Sequence, residues 1–399
     1  MELDRIDRLA ASSLEGYLVR KDLVRTFSRQ FPVPTYVVEF LLGRYCASID
    51  QEEIDEGLRI VQRQLASRTV KAGEEELFKA RAREQGEVKI IDIITARLDA
   101  KTDSYVATLP SLRLKDVCIN DELVNRHERM LTGGFYAEIT LGYDYTEARP
   151  FRVESLREIQ LSQREVLDIL AKARKNFTTE EWKDFLLRSI GIEPFGLPER
   201  QKNAFLLRMV PFVERNYNVV ELGPRGTGKS HLFQQISPYA HLISGGKATV
   251  ARMFVNNSTG QRGLVCQYDV VCFDEVSGVS FDQKDGVNIM KGYMESGEFS
   301  RGKESIRADG SIVLVGNFEV DVEHQQRIGH LFGPLPPEMR DDTAFMDRLH
   351  AFLPGWDIPK VSKELLTDHF GLVSDFLSEC WTQLRFQSRI NVIQNRVFF

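Results

Sequence analysis

Gly223-Pro224-Arg225-Gly226-Thr227-Gly228-Lys229-Ser230 decides how the rest of the chain is read. These eight residues fit the pattern GxxxxGK followed by Ser or Thr at every fixed position. They follow the apolar run Val219-Val220-Glu221-Leu222 and precede a segment, Ser230 through Ile236, with helical composition. Strand, loop and helix in that order are what a phosphate-cradling loop requires. Glycines let successive backbone N–H groups turn inward onto phosphate oxygens, and the start of the helix adds partial positive charge. The stretch therefore predicts an α/β nucleoside-triphosphate fold that binds ATP and Mg²⁺ through Gly223 to Ser230, with His231 beside them. Lys229 is expected to reach the β- and γ-phosphates, and the Ser230 hydroxyl to ligate the metal.

Working downstream, Val270-Val271-Cys272-Phe273-Asp274-Glu275 is an apolar strand that ends in two carboxylates. The carboxyl end of a buried strand is where an open α/β sheet holds metal and substrate. Asp274 is assigned to Mg²⁺, and Glu275 to polarising the attacking water. A third strand, Ile312-Val313-Leu314-Val315-Gly316-Asn317, ends in a lone amide, a residue type that also serves as a simple turn former. Arg348, in Phe345-Met346-Asp347-Arg348-Leu349-His350, is the candidate for a guanidinium delivered to a neighbouring subunit's nucleotide, with Arg340 as its rival.

Around this centre the chain divides by texture. Residues 1–85 repeat apolar positions at three and four, as in Leu23, Phe27 and Phe31, then Val37, Val38, Leu41 and Leu42, and read as a helical domain. Residues 86–150 carry strand composition at Val88–Ile94, Ser104–Leu109 and Gly134–Leu141 and read as a small β-rich, OB-like module. From Val153 the reading returns to helix, giving a linker over 151–190. Residues 191–355 alternate strands and helices and form the ATPase core, a parallel sheet flanked by helices. Residues 356–399 read as a partial helical lid, with a helix from Lys363 to Arg385 and a strand from Ile390 to Phe399. That run stops without a polar cap, so the chain is expected to be part of a longer protein.

The bulk numbers bound the function. The 399 residues carry a net charge of −6, which argues against a globally basic nucleic-acid binder and confines any such surface to a local patch. Five cysteines are scattered without a CxxC pair, as expected for reduced thiols. The charged start Met1-Glu2-Leu3-Asp4 is no signal peptide, and no apolar stretch approaches the ~18 residues needed to span a bilayer. A cytoplasmic protein without membrane contact is expected. His231, His241, His324, His330 and His369 form no metal spacing, which argues against zinc.

Two segments are candidates for gripping a substrate. Asn288 to Glu304 begins with helical period and continues as a β-hairpin with its tip near Arg301-Gly302-Lys303. Arg301, Lys303 and Arg307 would touch phosphates there, positioning DNA without reading its sequence. The polar run Asn256 to Gly263 is the second, with Arg262 as its cation.

The run GPRGTGKS, the segment NIMKGYMESGEFSRGK, and IVLVGN followed by MDRLHAFLPGW resemble the Lon-like AAA+ family of bacteriophage-exclusion (BREX) systems, and the resemblance extends over essentially the whole chain. The same segments are similar to the replicative MCM helicases. Carried over, Asn317 matches the amide that senses the γ-phosphate, Lys303 the pore lysine, and Arg348 the arginine finger. The hairpin is shorter than in MCM proteins, and Arg385 and Arg389 are the candidates for the second sensor arginine. The resemblance implies an AAA+ ATPase stimulated by double-stranded DNA, bound without sequence preference. It also implies a homo-oligomeric ring, a hexamer or a doubled ring, acting in phage restriction with other BREX proteins. Longer family members carry a Lon-protease-like domain, for which this chain has no room, so no protease site is expected in it. The alternative is a protein unfoldase of such a protease. Unfoldases grip with an aromatic loop, for which Met253-Phe254-Val255-Asn256 is the nearest equivalent.

Overall fold

A computed structural model describes residues 2–28, 30–46, 50–159, 165–244, 247–256, 262–281, 286–301, 304–318, 321–327, 331–387 and 389. The chain divides into two compact units. The first is built mainly from Ala10–Arg164 with Asp368–Phe376, the second from Glu165–Thr367 with Asp4–Leu9 and Leu377–Phe399.

In the first unit the three-and-four periodicity becomes the helices Lys21–Ser28, Thr35–Tyr45, Gln51–Arg68 and Glu75–Gln85. Pro34 precedes the second of these, where a missing N–H costs no intrahelical bond. Asp50 starts the third by accepting the N–H groups of Glu52 and Glu53. Val37, Val38, Leu41 and Leu42 pack with Val61 and Leu65 in one apolar cluster. A short strand β1 (Leu18–Arg20) lies among these helices.

The β-rich region forms a closed five-stranded barrel from β2 (Glu87–Asp99), β3 (Ser104–Leu109), β4 (Leu114–Ile119), β5 (Phe135–Tyr143) and β6 (Phe151–Glu158), in the order β2-β3-β4-β6-β5. Alternate residues such as Ile90, Ile94, Ile139 and Leu141 fill its interior. The helical reading from Val153 is corrected here, since Phe151–Glu158 is the strand that closes the barrel. Only Val153 of its eight side chains is buried, so the stretch lacks the alternation that announces a strand. Its state is set by pairing antiparallel with β5 and parallel with β4.

The second unit holds β7 (Val219–Gly223), β8 (Ala240–Ser244), β9 (Lys247–Ala248), β10 (Val270–Asp274), β11 (Ser280–Phe281), β12 (Glu298–Arg301), β13 (Glu304–Arg307), β14 (Ser311–Asn317) and β15 (Ala351–Pro354). Five of these make a wholly parallel sheet in the order β15-β7-β14-β10-β8. Helices cover both faces of such a sheet, which is why β7, β10 and β14 read as largely apolar runs, broken in β7 by Glu221. β9 pairs with β11, and β12 with β13 as an antiparallel hairpin.

The expected helix from Lys363 to Arg385 is also corrected. It is preceded by strand β16 (Phe370–Leu372), and the helix itself runs only Ser374–Leu384. β16 pairs antiparallel with β1, Leu18 opposite Leu372, a partner too distant in sequence to be anticipated. A buried carboxylate fixes this return. Glu39 accepts Lys21 Nζ at 2.8 Å on one oxygen, and the Ser374 N–H and Oγ at 2.9 and 2.6 Å on the other. Of residues 356–399, Asp368–Phe376 group with the first unit and Leu377 onward with the second. The run Ile390 to Phe399 lies outside the described residues. Among the described residues no helix is long and apolar enough to cross a membrane.

Candidate active site

The sheet order brings the three strand ends together. β14 lies between β7 and β10, with Asn317 in register with Gly223 and Leu314 with Phe273. Their carboxyl ends open on one cleft of about 280 Å³, lined by the loop from Arg225 to His231, by Asp274 and Glu275, and by Asn317. Gly223 and Pro224, at the start of the loop, are not among the residues that line the cleft. Gly226 and Gly228 hold φ of +84° and +74°, which L side chains resist, so the loop's curvature depends on them. Gly223 is required for a different reason. A Cβ there would stand 2.6 Å from the Gly355 backbone.

Within the cleft Lys229 is buried, its Nζ donating to the carbonyls of Pro224 at 2.7 Å and Gly223 at 3.4 Å. Burial lowers its pKa from the ordinary lysine value, countered by Glu221, reinforced by Arg208 and countered again by Asp274. Ser230 Oγ donates to Asp274 Oδ2 at 2.5 Å. A hydroxyl and a carboxylate side by side at a strand end are the hard oxygen donors Mg²⁺ prefers, so the residues fit that ion. Glu275 is one of four non-glycine residues with positive φ among the described residues, at +52°, and its N–H donates to Asp274 Oδ1 at 2.9 Å. That left-handed turn costs on the order of 1–3 kcal/mol and places the Glu275 carboxylate at the open cleft.

One element of the site was not anticipated. Arg208, on the helix Glu199–Val213, donates to both Glu221 oxygens, from Nε at 2.9 Å and Nη2 at 2.5 Å. Its Nη1 also donates to the Thr227 carbonyl at 2.9 Å. A buried, bidentate ion pair thus braces the loop from beneath. Its signal was present in the acid at Glu221, an ionised group inside the otherwise apolar strand VVELG that demanded a partner. Arg208→Ala leaves that carboxylate buried and uncompensated, and is expected to cost about 3–5 kcal/mol in urea unfolding, with weakened ATP binding.

Arg348 lies elsewhere. It lines a separate hollow of about 380 Å³ with Met294, Glu295, Asp347, Leu349 and His350. It stands just before β15, at the amino ends of the strands, and His350 N–H donates to the carbonyl of Asn218, the residue preceding β7. The phosphate loop leaves the other end of β7. Arg340 pairs with its neighbour Asp341 at 3.2 Å. Arg385 is buried against the carbonyls of Pro211, Glu214 and Asp309, and Arg389 pairs with Glu214. Neither lines the cleft.

Of the cations proposed for DNA, Arg307 is exposed on β13 opposite Glu298, and Arg262 is exposed beside a bridge to Val255. Arg301 ends β12, and Lys303 lies outside the described residues. Phe254, the aromatic of the unfoldase alternative, is wholly buried against Tyr293 and Phe299.

A parallel sheet whose strand ends gather a phosphate loop, an acid pair and an amide on one cleft defines the core of a P-loop nucleoside triphosphatase. Residues 151–399 match the family described as Lon-like protease BrxL-like, ATPase domain, and residues 12–143 match the BREX system Lon protease-like protein BrxL N-terminal family. The chain belongs to the BrxL family. It is 45% identical over 386 residues to the Lon-like protease BrxL of Escherichia coli O9:H4 (strain HS), covering 96% of this chain and 55% of that protein. It is 42% identical over 377 residues to the Lon-like protease BrxL of Bacillus cereus (strain H3081.97), covering 94% and 56%. The chain thus spans just over half the length of these relatives.

Proposed function

We propose that the chain is an AAA+ ATPase that hydrolyses ATP to ADP and phosphate as a homo-oligomeric ring, a hexamer or a doubled ring. It acts in the cytoplasm on double-stranded DNA, independently of sequence, together with other BREX proteins in phage restriction. The observation that carries the reading is the placement of Arg348 at the opposite end of β7 from the phosphate loop. Such an arginine serves a neighbour's nucleotide, so the active unit is an assembly.

In this reading Lys229 leaves the loop carbonyls for the β- and γ-phosphates, and the N–H groups from Gly226 to Ser230 take the remaining oxygens. Ser230 and Asp274 hold Mg²⁺, which neutralises phosphate charge when bound. Glu275 orients and deprotonates the attacking water, and Asn317 fixes its position from the adjacent strand. Arg348 of the next subunit stabilises the charge on the transferred group.

DNA as the substrate is supported by the hairpin of β12 and β13. It packs Phe299 and Ile306 inward and leaves Arg307 exposed, while Phe254 is withdrawn from the surface. The barrel is read as an OB-like part of a DNA-facing collar. ATP turnover with and without a duplex, at two salt concentrations, tests the assignment. Stimulation is expected, with most of it lost in Lys303→Ala and Arg307→Ala. Each removed phosphate contact should reduce the salt slope by about one. ATP-dependent threading of a protein, with no response to the duplex, would transfer the assignment to an unfoldase.

A further inference from the structure

Arg348 is held by Glu295 in a way that joins it to the hairpin. Glu295 sits at the end of the helix Gly286–Ser296 and takes Arg348 Nη2 at 2.5 Å, while Nη1 donates to the Ala344 carbonyl at 2.5 Å. Arg348 Nε is shielded from solvent and has no acceptor among the described residues. The grip is therefore incomplete, and a phosphoryl oxygen would offer this guanidinium a stronger, bidentate partner. The ion pair is also open to water, with side chains 24% and 63% exposed, so solvent screens it and it can be exchanged.

What Glu295 is attached to gives the exchange a consequence. Its helix turns directly into β12 through Gly297, whose φ is +72° and whose N–H donates to the Tyr293 carbonyl. The same helix end is tied to the base of the sheet. Asn216 donates to the carbonyls of Tyr293 and Met294 at 3.1 and 3.2 Å. The buried Asn218 donates to Met294 O at 3.4 Å, donates its N–H to His350 Nδ1 at 3.1 Å, and accepts the Ile312 N–H at 3.0 Å. Asn218 immediately precedes β7 and Ile312 is the second residue of β14, the two strands that end in Gly223 and Asn317. The finger segment, the hairpin helix and two strands of the protomer's own cleft thus meet at one hydrogen-bonded junction.

We propose that Glu295 is a positioning residue for Arg348, holding the arginine while the neighbouring site is empty and yielding it when the neighbour's triphosphate arrives. Release of Glu295 then loosens the end of its helix, which leads into the β12–β13 hairpin. The state of one nucleotide site is thereby transmitted to the surface proposed to hold DNA. The inference rests on the assignment of Arg348 as a finger in trans.

The test measures kcat/KM for ATP with the assembled full chain, and hydrogen exchange over residues 286–307 with and without a non-hydrolysable ATP analogue. Glu295→Gln is expected to raise kcat/KM about two- to fivefold, the range of a solvent-screened pair. Exchange in the hairpin should become fast and independent of nucleotide. Glu295→Asp keeps the charge but shortens the reach, should fall between, and decides the matter should the Gln variant not fold. Unchanged or lower kcat/KM in Glu295→Gln, with Arg348→Ala inactive, overturns the role of Glu295 and leaves the finger assignment standing. Full turnover in Arg348→Ala overturns both.

Discussion

Arg348→Ala is expected to lower ATP turnover by about 10³–10⁵-fold, the effect of an arginine finger, while ATP affinity stays intact. The separation follows from where the residue stands. β7 runs five residues from Val219 to Gly223, which at roughly 3.3 Å per residue spans about 16 Å. Arg348 is anchored beyond its start and the phosphate loop leaves its end, so a protomer cannot bring its own guanidinium to its own phosphates. Binding is local to the loop and survives. Mixing supplies the decisive measurement. Subunits carrying Arg348→Ala and subunits carrying Lys229→Ala, each inactive alone, should recover part of the turnover together, because some interfaces then pair an intact finger with an intact loop. Absence of recovery, with both variants assembled, would place the arginine outside the reaction.

Glu275→Gln is expected to reduce hydrolysis by about 10²–10⁴-fold, the span attributed to a positioned general base. Glutamine keeps the shape and the hydrogen-bonding reach of the side chain but cannot take a proton from water. The Asp274–Ser230 contact lies on the neighbouring residue and is untouched, so nucleotide and metal binding should persist. A single-turnover measurement with labelled ATP separates the two, showing bound ATP that is retained unhydrolysed. The left-handed backbone at Glu275 adds a second expectation. Since that conformation puts the carboxylate at the cleft, Glu275→Asp should recover little, because the shorter side chain ends before the same point.

The site was legible where chemistry imposes spacing. A phosphate loop needs glycines at fixed intervals and a strand before it, and an acidic strand end is visible because two carboxylates interrupt an apolar run. Asn317 was legible as a strand terminus, and register with Gly223 then placed it. Arg208 was not, because helix residues that serve a loop from below follow no local pattern. Only the burial of Glu221 could have exposed it. In the barrel, β2, β3 and β5 announced themselves through their strand composition. β6 did not, because only Val153 of its side chains is fully buried and its backbone is held by partners across an irregular register. β16 was hidden for another reason, being only three residues long and paired with β1, far away in the sequence.

The pairing of β16 with β1 carries a consequence for how the protein is made. Lys21 donates to the carbonyl of Leu372, 351 positions further along. On a ribosome that delivers the chain from its amino end, the first unit acquires its helices and barrel early but must wait for its last strand. All of the ATPase core emerges in between. Until Phe370–Leu372 arrives, β1 offers an unpaired edge and Glu39 lacks the Ser374 donors that complete its hydrogen bonds. The interval before closure is when this unit is most open to a chaperone or to mispairing with a second nascent copy. A fragment cut at residue 164 would remain in that unfinished state permanently.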